Sequence, residues 1–164
     1  MSDLTKALFT HILLTAPTEE IAEVYRVQLA ILQDSVPFLR GTVVNCVADP
    51  AGQRVGSGGG TLNGLAFIRK TYNLESLDAS LVLIIHSGGE SRRAPLYSLC
   101  GKAWTTINAT ILGGEIASPI VLLIAELTVF CANLQLGSLV VASSDVMLDI
   151  TSLGSKPTDF IQDS

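Results

Sequence analysis

The chain has 164 residues, of which 48% are hydrophobic and 15% are charged, so it can form one domain with a buried core and is not disordered. Its net charge of −5 and isoelectric point near 4.8 argue against nucleic acid as a partner, because nucleic-acid-binding surfaces are basic. Three separated cysteines, an odd number without CxxC spacing, are typical of a reducing compartment, and we predict a cytoplasmic location.

Apolar runs alternate with helical patterns along the chain. Strands are predicted at residues 9–16, 41–48, 79–86 and 138–145. Helices are predicted between them, at residues 17–34, about 61–72 and about 118–134. The last of these carries a long apolar run, and we expect a buried core helix rather than a membrane span. The alternation predicts an α/β domain of three layers with a largely parallel sheet, whose third strand is central.

The two amphipathic helices have candidate packing residues. In the first helix, Ile21, Val24, Leu29 and Leu32 keep helical spacing, and Glu19 and Glu20 suit a first turn. In the second helix the residues available to pack are Leu62, Leu65, Ala66 and Phe67.

A glycine-rich stretch, GSGGGT at residues 56–61, precedes the predicted second helix. Glycines let backbone N–H groups approach a ligand closely, and a helix start presents positive charge to an anion. The stretch matches neither the dinucleotide pattern G-x-G-x-x-G nor a Walker loop. A phosphate cradle and a tight turn without a ligand are therefore both open.

A basic stretch, HSGGESRRAPLYSLCGK, runs from His86 to Lys102 directly after the third predicted strand. Arg92 or Arg93, together with Lys102, could neutralise a triphosphate and stabilise charge on leaving pyrophosphate. The alternative is that these residues form surface salt bridges. His86 suits either a ligand contact or a structural role with hydrogen bonds to protein groups.

Asp145 follows the fourth predicted strand, where a carboxylate could hold Mg²⁺ together with substrate phosphates. The alternative is a turn or helix cap made by Ser143, Ser144 and Asp145. Ligands of parallel sheets bind at the carboxyl ends of the strands. We therefore expect the glycine-rich stretch, the basic stretch and Asp145 to lie along one edge.

Three stretches, VADPAGQRVGSGGGTLNGL, LVLIIHSGGESRRAPLYSLCGKAW and LVVASSDVMLDI, resemble the fucose-1-phosphate guanylyltransferase (GDP-fucose pyrophosphorylase) family, which includes part of the bifunctional fucokinases. The resemblance runs from about His11 to Ile150. It implies a nucleotidyltransferase, Rossmann-like fold and the reaction of GTP with L-fucose 1-phosphate to give GDP-L-fucose and pyrophosphate. It also implies that Arg92 and Lys102 are catalytic, that Asp145 holds Mg²⁺, and that the nucleotide and its phosphates are bound by Gly56, Ser57, Gly58, Gly59, Gly60, Thr61, Gly88 and Gly89.

Two departures from the family pattern stand out. Residues 104–117 differ from its usual continuation, and Ser144 occupies a position where glycine is expected. Enzymes of the family are also several times longer than this chain. We therefore expect an incomplete fold, with the nucleotide-binding part at residues 1–150 and a polar tail or truncated continuation at 151–164.

Functions other than catalysis of this reaction stay open. The chain could be a non-catalytic nucleotide- or sugar-phosphate-binding module, a truncated fragment of a bifunctional enzyme, or a structural domain whose glycines only form turns. We predict no membrane partner. Self-association, or a missing downstream domain, would cover an apolar face left exposed.

Overall fold

Four strands and three helices make up the part of the chain that the computed structural model describes, which is residues 7–87, 102–107 and 117–146. The strands are β1 (His11–Ala16), β2 (Val43–Ala48), β3 (Val82–His86) and β4 (Leu139–Ser143). The helices are α1 (Glu19–Ser35), α2 (Gly56–Thr71) and α3 (Pro119–Phe130). Short 3-10 turns lie at Pro37–Leu39, Pro50–Gly52 and Lys102–Trp104.

The strands form one parallel sheet in the order β2-β1-β3-β4. His11 of β1 is paired with Val43 of β2 and with Val82 of β3, so the three strands begin at one level. Every residue of β1 is buried, as expected of an interior strand covered on both faces. The parallel sheet and the central position of the third strand are confirmed.

Alternate side chains of the sheet enter two separate apolar clusters. One cluster joins Ile12, Leu14, Leu83 and Ile85 with the buried residues of α1 and α3. The other joins Leu13, Val82 and Ile84 with Ile68 of α2. Because neighbouring residues of a strand point to opposite faces, α2 covers one face of the sheet, and α1 and α3 cover the other. The predicted three-layer α/β architecture is confirmed.

Helix α1 begins after Thr18, whose Oγ1 accepts a hydrogen bond from the N–H of Ile21 at 3.4 Å. Its buried residues are Ala22, Tyr25 and Leu29, whereas Val24 is 56% exposed. The apolar residues of α1 therefore form two stripes, and only one of them contacts the sheet. The exposed stripe consists of Ile21, Val24, Val27 and Ile31.

Helix α3 begins at Pro119, where a missing backbone N–H costs nothing. It has seven buried residues and packs into the same cluster as α1, so the expected core helix is confirmed. It ends at Phe130, four residues earlier than predicted. Within the described ranges, no helix has the length and apolarity that a membrane crossing requires.

Candidate functional site at the carboxyl edge of the sheet

The carboxyl ends of β1 and β3 lie side by side where the chain changes direction through the sheet. From β1 the chain moves to β2 on one side, then crosses back to place β3 on the other side of β1. Such a switch point is where open parallel sheets bind ligands. Thr15 and His86 are paired there, near the ends of β1 and β3.

Helix α2 starts at this point, and its start differs from our expectation. The predicted helix began near Thr61, but the observed helix begins at Gly56, so the glycine-rich stretch forms its first turns rather than a loop. Gly56 has a φ of +69°, a left-handed conformation that favours glycine. Among the described residues, no side chain caps this start and no acidic residue lies in its first turn. The positive end of the helix therefore meets no acidic side chain from its own first turn.

Three of the glycines of α2 differ in what a side chain would meet at their positions. A Cβ on Gly60 would lie 3.2 Å from His86 Cε1, and a Cβ on Gly64 would lie 2.8 Å from Leu13 Cδ2. These two glycines let the helix approach the sheet closely. A Cβ on Gly58, by contrast, would meet nothing within 4 Å. Gly58 is therefore free of a packing role, and its exposed backbone is accessible to a ligand.

His86 joins three elements at this edge. Its Nδ1 lies 3.1 Å from Thr15 Oγ1, and its Nε2 lies 3.0 Å from Thr61 Oγ1 in α2. Its carbonyl oxygen accepts a 2.9 Å hydrogen bond from the N–H of Ser144, just after β4. The structural role was one of the two alternatives for His86, and both ring nitrogens are in fact used by protein groups.

Helix α2 also forms a hydrogen bond with the edge strand β2. Asn63 Nδ2 donates a 3.0 Å hydrogen bond to the carbonyl oxygen of Ala48, at the end of β2. Sequence reasoning did not select Thr15 or Asn63. The only signal for Thr15 was a polar residue near the end of an apolar strand.

Burial lowers the pKa of His86, and the negative charge of Asp49 partly opposes that shift. Burial also lowers the pKa of His11, at the opposite end of β1. Both histidines are thus held toward their neutral forms by folding.

These shifts predict a stability that falls with acid. The unfolded histidines bind protons near their usual pKa of 6.5, while the folded ones bind them only at lower pH. The stability that depends on the neutral histidines should therefore be fully present above about pH 7. The free energy of unfolding should decrease as pH falls through 6.5 toward the folded pKa, with a slope of at most about 1.4 kcal/mol per pH unit for each histidine. Urea denaturation between about pH 5 and 8 measures this.

The control for this prediction is a chain with both His11 and His86 replaced by glutamine. Its stability should be nearly flat from about pH 5.5 to 7.5, since the histidines no longer titrate. An unchanged slope in this variant would show that other groups carry the effect.

Asp145 is exposed in the turn that follows β4, beside the end of β3. The Ser143 hydroxyl donates a 2.5 Å hydrogen bond to Asp145 Oδ1. No group of three His, Cys, Asp or Glu side chains that could hold a metal occurs in the described residues. Mg²⁺ commonly binds through one or two carboxylates plus substrate phosphates, so a single exposed carboxylate here fits that ion.

The remaining predicted site residues lie outside the described part of the chain or in the short 3-10 turn. Gly88, Gly89 and Arg92 lie outside the described residues. Lys102 begins the short 3-10 turn, in which Ala103 is buried and Trp104 packs 5.7 Å from the ring of Tyr25 in α1. The backbone of this turn thus lies on the α1 side of the sheet, opposite to α2. The structure brings together residues 56–61, His86 and the turn that holds Asp145, and the place of Lys102 in this site stays a prediction.

The fold and this site define a Rossmann-like α/β protein with a glycine-rich helix start at the switch point of its sheet. Comparison with known sequences narrows that class. The sequence pattern of the fucose pyrophosphorylase domain matches residues 74–163, more than half of the chain. The chain belongs to this family, as the resemblance predicted.

Several curated relatives agree with this assignment. The chain is 33% identical over 135 residues to human fucose-1-phosphate guanylyltransferase, a match that covers 82% of this chain and 22% of the relative. It is 32% identical over 112 residues to the Arabidopsis thaliana bifunctional fucokinase/GDP-fucose pyrophosphorylase, covering 57% of this chain and 11% of the relative. The chain thus spans about a fifth or less of these relatives. No solved structure matches it.

Proposed function

We propose that this chain provides the nucleotide-binding part of a sugar-1-phosphate nucleotidyltransferase that converts GTP and L-fucose 1-phosphate to GDP-L-fucose and pyrophosphate. The observation that carries the proposal is the glycine-rich start of α2 at the switch point of the sheet, with no capping side chain among the described residues. A helix start of this kind attracts phosphate. Both relatives quoted above carry names that specify this chemistry.

In the proposed site, the first turn of α2 holds phosphate oxygens through the N–H groups of residues 56–58. Arg92 and Lys102 neutralise the remaining phosphate charge and the charge that develops on leaving pyrophosphate. Asp145 would hold Mg²⁺, which supplies further charge neutralisation when bound.

The reaction is a direct displacement. A phosphate oxygen of the sugar 1-phosphate attacks the α-phosphorus of GTP, and the bond from that phosphorus to the oxygen bridging to the β-phosphate breaks. Pyrophosphate leaves with the electron pair of the broken bond. Positioning and charge neutralisation supply the acceleration, so no covalent protein nucleophile is needed.

Nucleotide binding is tested by thermal stabilisation with GTP, ATP or UTP in the presence of Mg²⁺. At about 100 times its dissociation constant, a bound nucleotide stabilises the fold by roughly 2.7 kcal/mol, or about 5–10 °C in Tm. We expect GTP to give this shift. We expect Arg92→Ala to remove most of it, because charge-assisted hydrogen bonds are worth about 1.5–3 kcal/mol each.

The matched control is Arg69→Ala. Arg69 lies in the last turn of α2, where its guanidinium donates to the carbonyl oxygen of Glu75 at 3.0 Å. Removing it should leave the GTP shift intact. The proposal fails if no nucleotide stabilises a chain that unfolds cooperatively, or if both arginine variants lose the shift equally.

Binding without turnover is the second candidate function, since the whole length of the relatives is several times that of the matched region. Pyrophosphate release from GTP and L-fucose 1-phosphate decides between the two. Release above the buffer rate supports the transferase, and a GTP shift without release supports the binding module.

A further inference from the structure

We propose that His86 is a positioning residue that fixes the glycine-rich start of α2 against the ends of β1 and β3 through a one-directional chain of hydrogen bonds. The effect on nucleotide binding rests on the proposed function. The positioning itself rests only on the geometry of the described residues.

The direction of the hydrogen bonds follows from the donors and acceptors present. Thr61 Oγ1 donates its single proton to the carbonyl oxygen of Ser57 at 2.9 Å, because a carbonyl oxygen can only accept. Toward His86 Nε2 the Thr61 oxygen must therefore accept, so Nε2 carries the ring proton. In the neutral ring Nδ1 is then an acceptor, and the Thr15 hydroxyl donates to it.

The result is three aligned hydrogen bonds, from Thr15 to His86, from His86 to Thr61, and from Thr61 to Ser57. Aligned bonds in a partly buried setting polarise one another, so the chain is stronger than its separate members. It ends on the carbonyl oxygen of Ser57, inside the turn proposed to hold phosphate. Burial favours the neutral ring that the chain requires.

Packing adds a second constraint on the same turn. A Cβ on Gly60 would lie 3.2 Å from His86 Cε1 and 3.8 Å from Thr15 Cγ2, so the helix backbone rests directly on these two side chains. The carbonyl oxygen of His86 also accepts from Ser144 N–H, in the turn that holds Asp145. One residue thus sets the relative positions of the proposed phosphate turn and the proposed metal residue.

His86 is not a catalytic residue in this proposal, since both of its ring nitrogens are bonded to protein hydroxyls. It acts through Thr61 and the backbone of α2. Its loss should therefore weaken nucleotide binding through misplacement of the helix start.

Two substitutions of His86 distinguish its hydrogen bond to Thr61 from its hydrogen bond to Thr15. The amide of His86→Gln reaches the position of Nε2 and can still donate to Thr61. The amide of His86→Asn reaches only the position of Nδ1 and can still accept from Thr15. Both remove the ring, so they cost similar fold stability while differing in which bond survives.

The expected result is that His86→Asn weakens the affinity for GTP with Mg²⁺ about tenfold, the effect of one lost positioning hydrogen bond, while His86→Gln stays within about threefold of the unaltered chain. His11→Gln is the control, because His11 lies at the other end of β1. Equal losses in the Gln and Asn variants, or full affinity in the Asn variant, would overturn the proposal.

A second measurement needs no nucleotide. Nitrogen-15 NMR of the unliganded chain at about pH 8 reports which imidazole nitrogen of His86 carries the proton, and we expect Nε2. Amide hydrogen exchange of Gly60 and Thr61 should quicken in His86→Asn and not in His86→Gln. A proton on Nδ1 alone, or unchanged exchange, would refute the positioning role even if GTP binds. If GTP does not bind, the NMR and hydrogen-exchange results still decide whether His86 positions the start of α2.

Discussion

Replacing Ile84 with alanine is expected to lower the free energy of unfolding by about 3 kcal/mol, within the range of about 2–5 kcal/mol for such core truncations. Ile84 is 0% exposed and lies in the middle of β3, on the face covered by α2. Its Cδ1 would be 3.1 Å from a Cβ on Gly64, so helix and strand are already in close contact. The remaining cavity should collapse only partially, because β1 and α2 are packed against its walls. Urea denaturation measures the loss.

Val141→Ala is the control for this prediction. Val141 is paired with Ile84 across the sheet and lies on the same face, but it is 48% exposed. We expect a loss below about 1 kcal/mol. Equal losses at the two positions would contradict the difference in burial between Ile84 and Val141.

Gly64→Leu is expected to cost about 2–3 kcal/mol of unfolding free energy. A Cβ at this position would lie 2.8 Å from Leu13 Cδ2, and the larger side chain would force α2 away from the sheet. Overpacking of this kind costs about 1–3 kcal/mol, and the better helix propensity of leucine returns less than about 1 kcal/mol. Because the same shift moves the start of α2, stabilisation by GTP should fall too.

Gly58→Ala separates packing from ligand approach in the same helix. With nothing within 4 Å of its Cβ, alanine here should leave the stability unchanged or raise it by up to about 1 kcal/mol. If phosphate approaches the backbone of this turn as proposed, the GTP shift should nevertheless decrease. A Gly58→Ala chain as unstable as Gly64→Leu would show that the helix packs differently.

Strand positions and layer order could be predicted from the sequence because they depend on local signals. β3 is an apolar run between polar segments, and the start of α3 is marked by Ser118 and Pro119. The three-layer arrangement follows from the alternation of such elements.

The packing faces of the helices could not be predicted, because they depend on contacts far away in the sequence. Helix α1 has two apolar stripes, and spacing alone does not decide between Val24, which is exposed, and Tyr25, which is buried. Glycine has a low helix propensity, so the start of α2 was placed too late. Tertiary packing overrides that propensity, since Gly60 and Gly64 are needed where the helix touches β1 and β3.

The sequence predicts glycine-rich, basic and acidic residues at one edge of the sheet, and the structure brings two of these three features, residues 56–61 and the turn of Asp145, to His86. Residues 88–101 of the basic stretch lie outside the described part of the chain. The role of Thr15 could not be foreseen, because its partner His86 lies 71 residues away. Arg92 as a catalytic residue and Mg²⁺ at Asp145 stay predictions.

The strand order β2-β1-β3-β4 also sets when the protein can fold during its synthesis. β1 can pair with β2 as soon as that next strand has left the ribosome, but its other edge must wait for β3. Thr15 and His86 are separated by 71 residues, which take about 4–14 s to translate at typical rates of about 5–20 residues per second. During that interval a strand that is wholly buried in the folded protein has one unpaired edge, the kind of surface that chaperones bind and that aggregates form upon. A nascent chain that stalls before residue 86 would carry the glycine turn of α2 without the histidine that holds it in place.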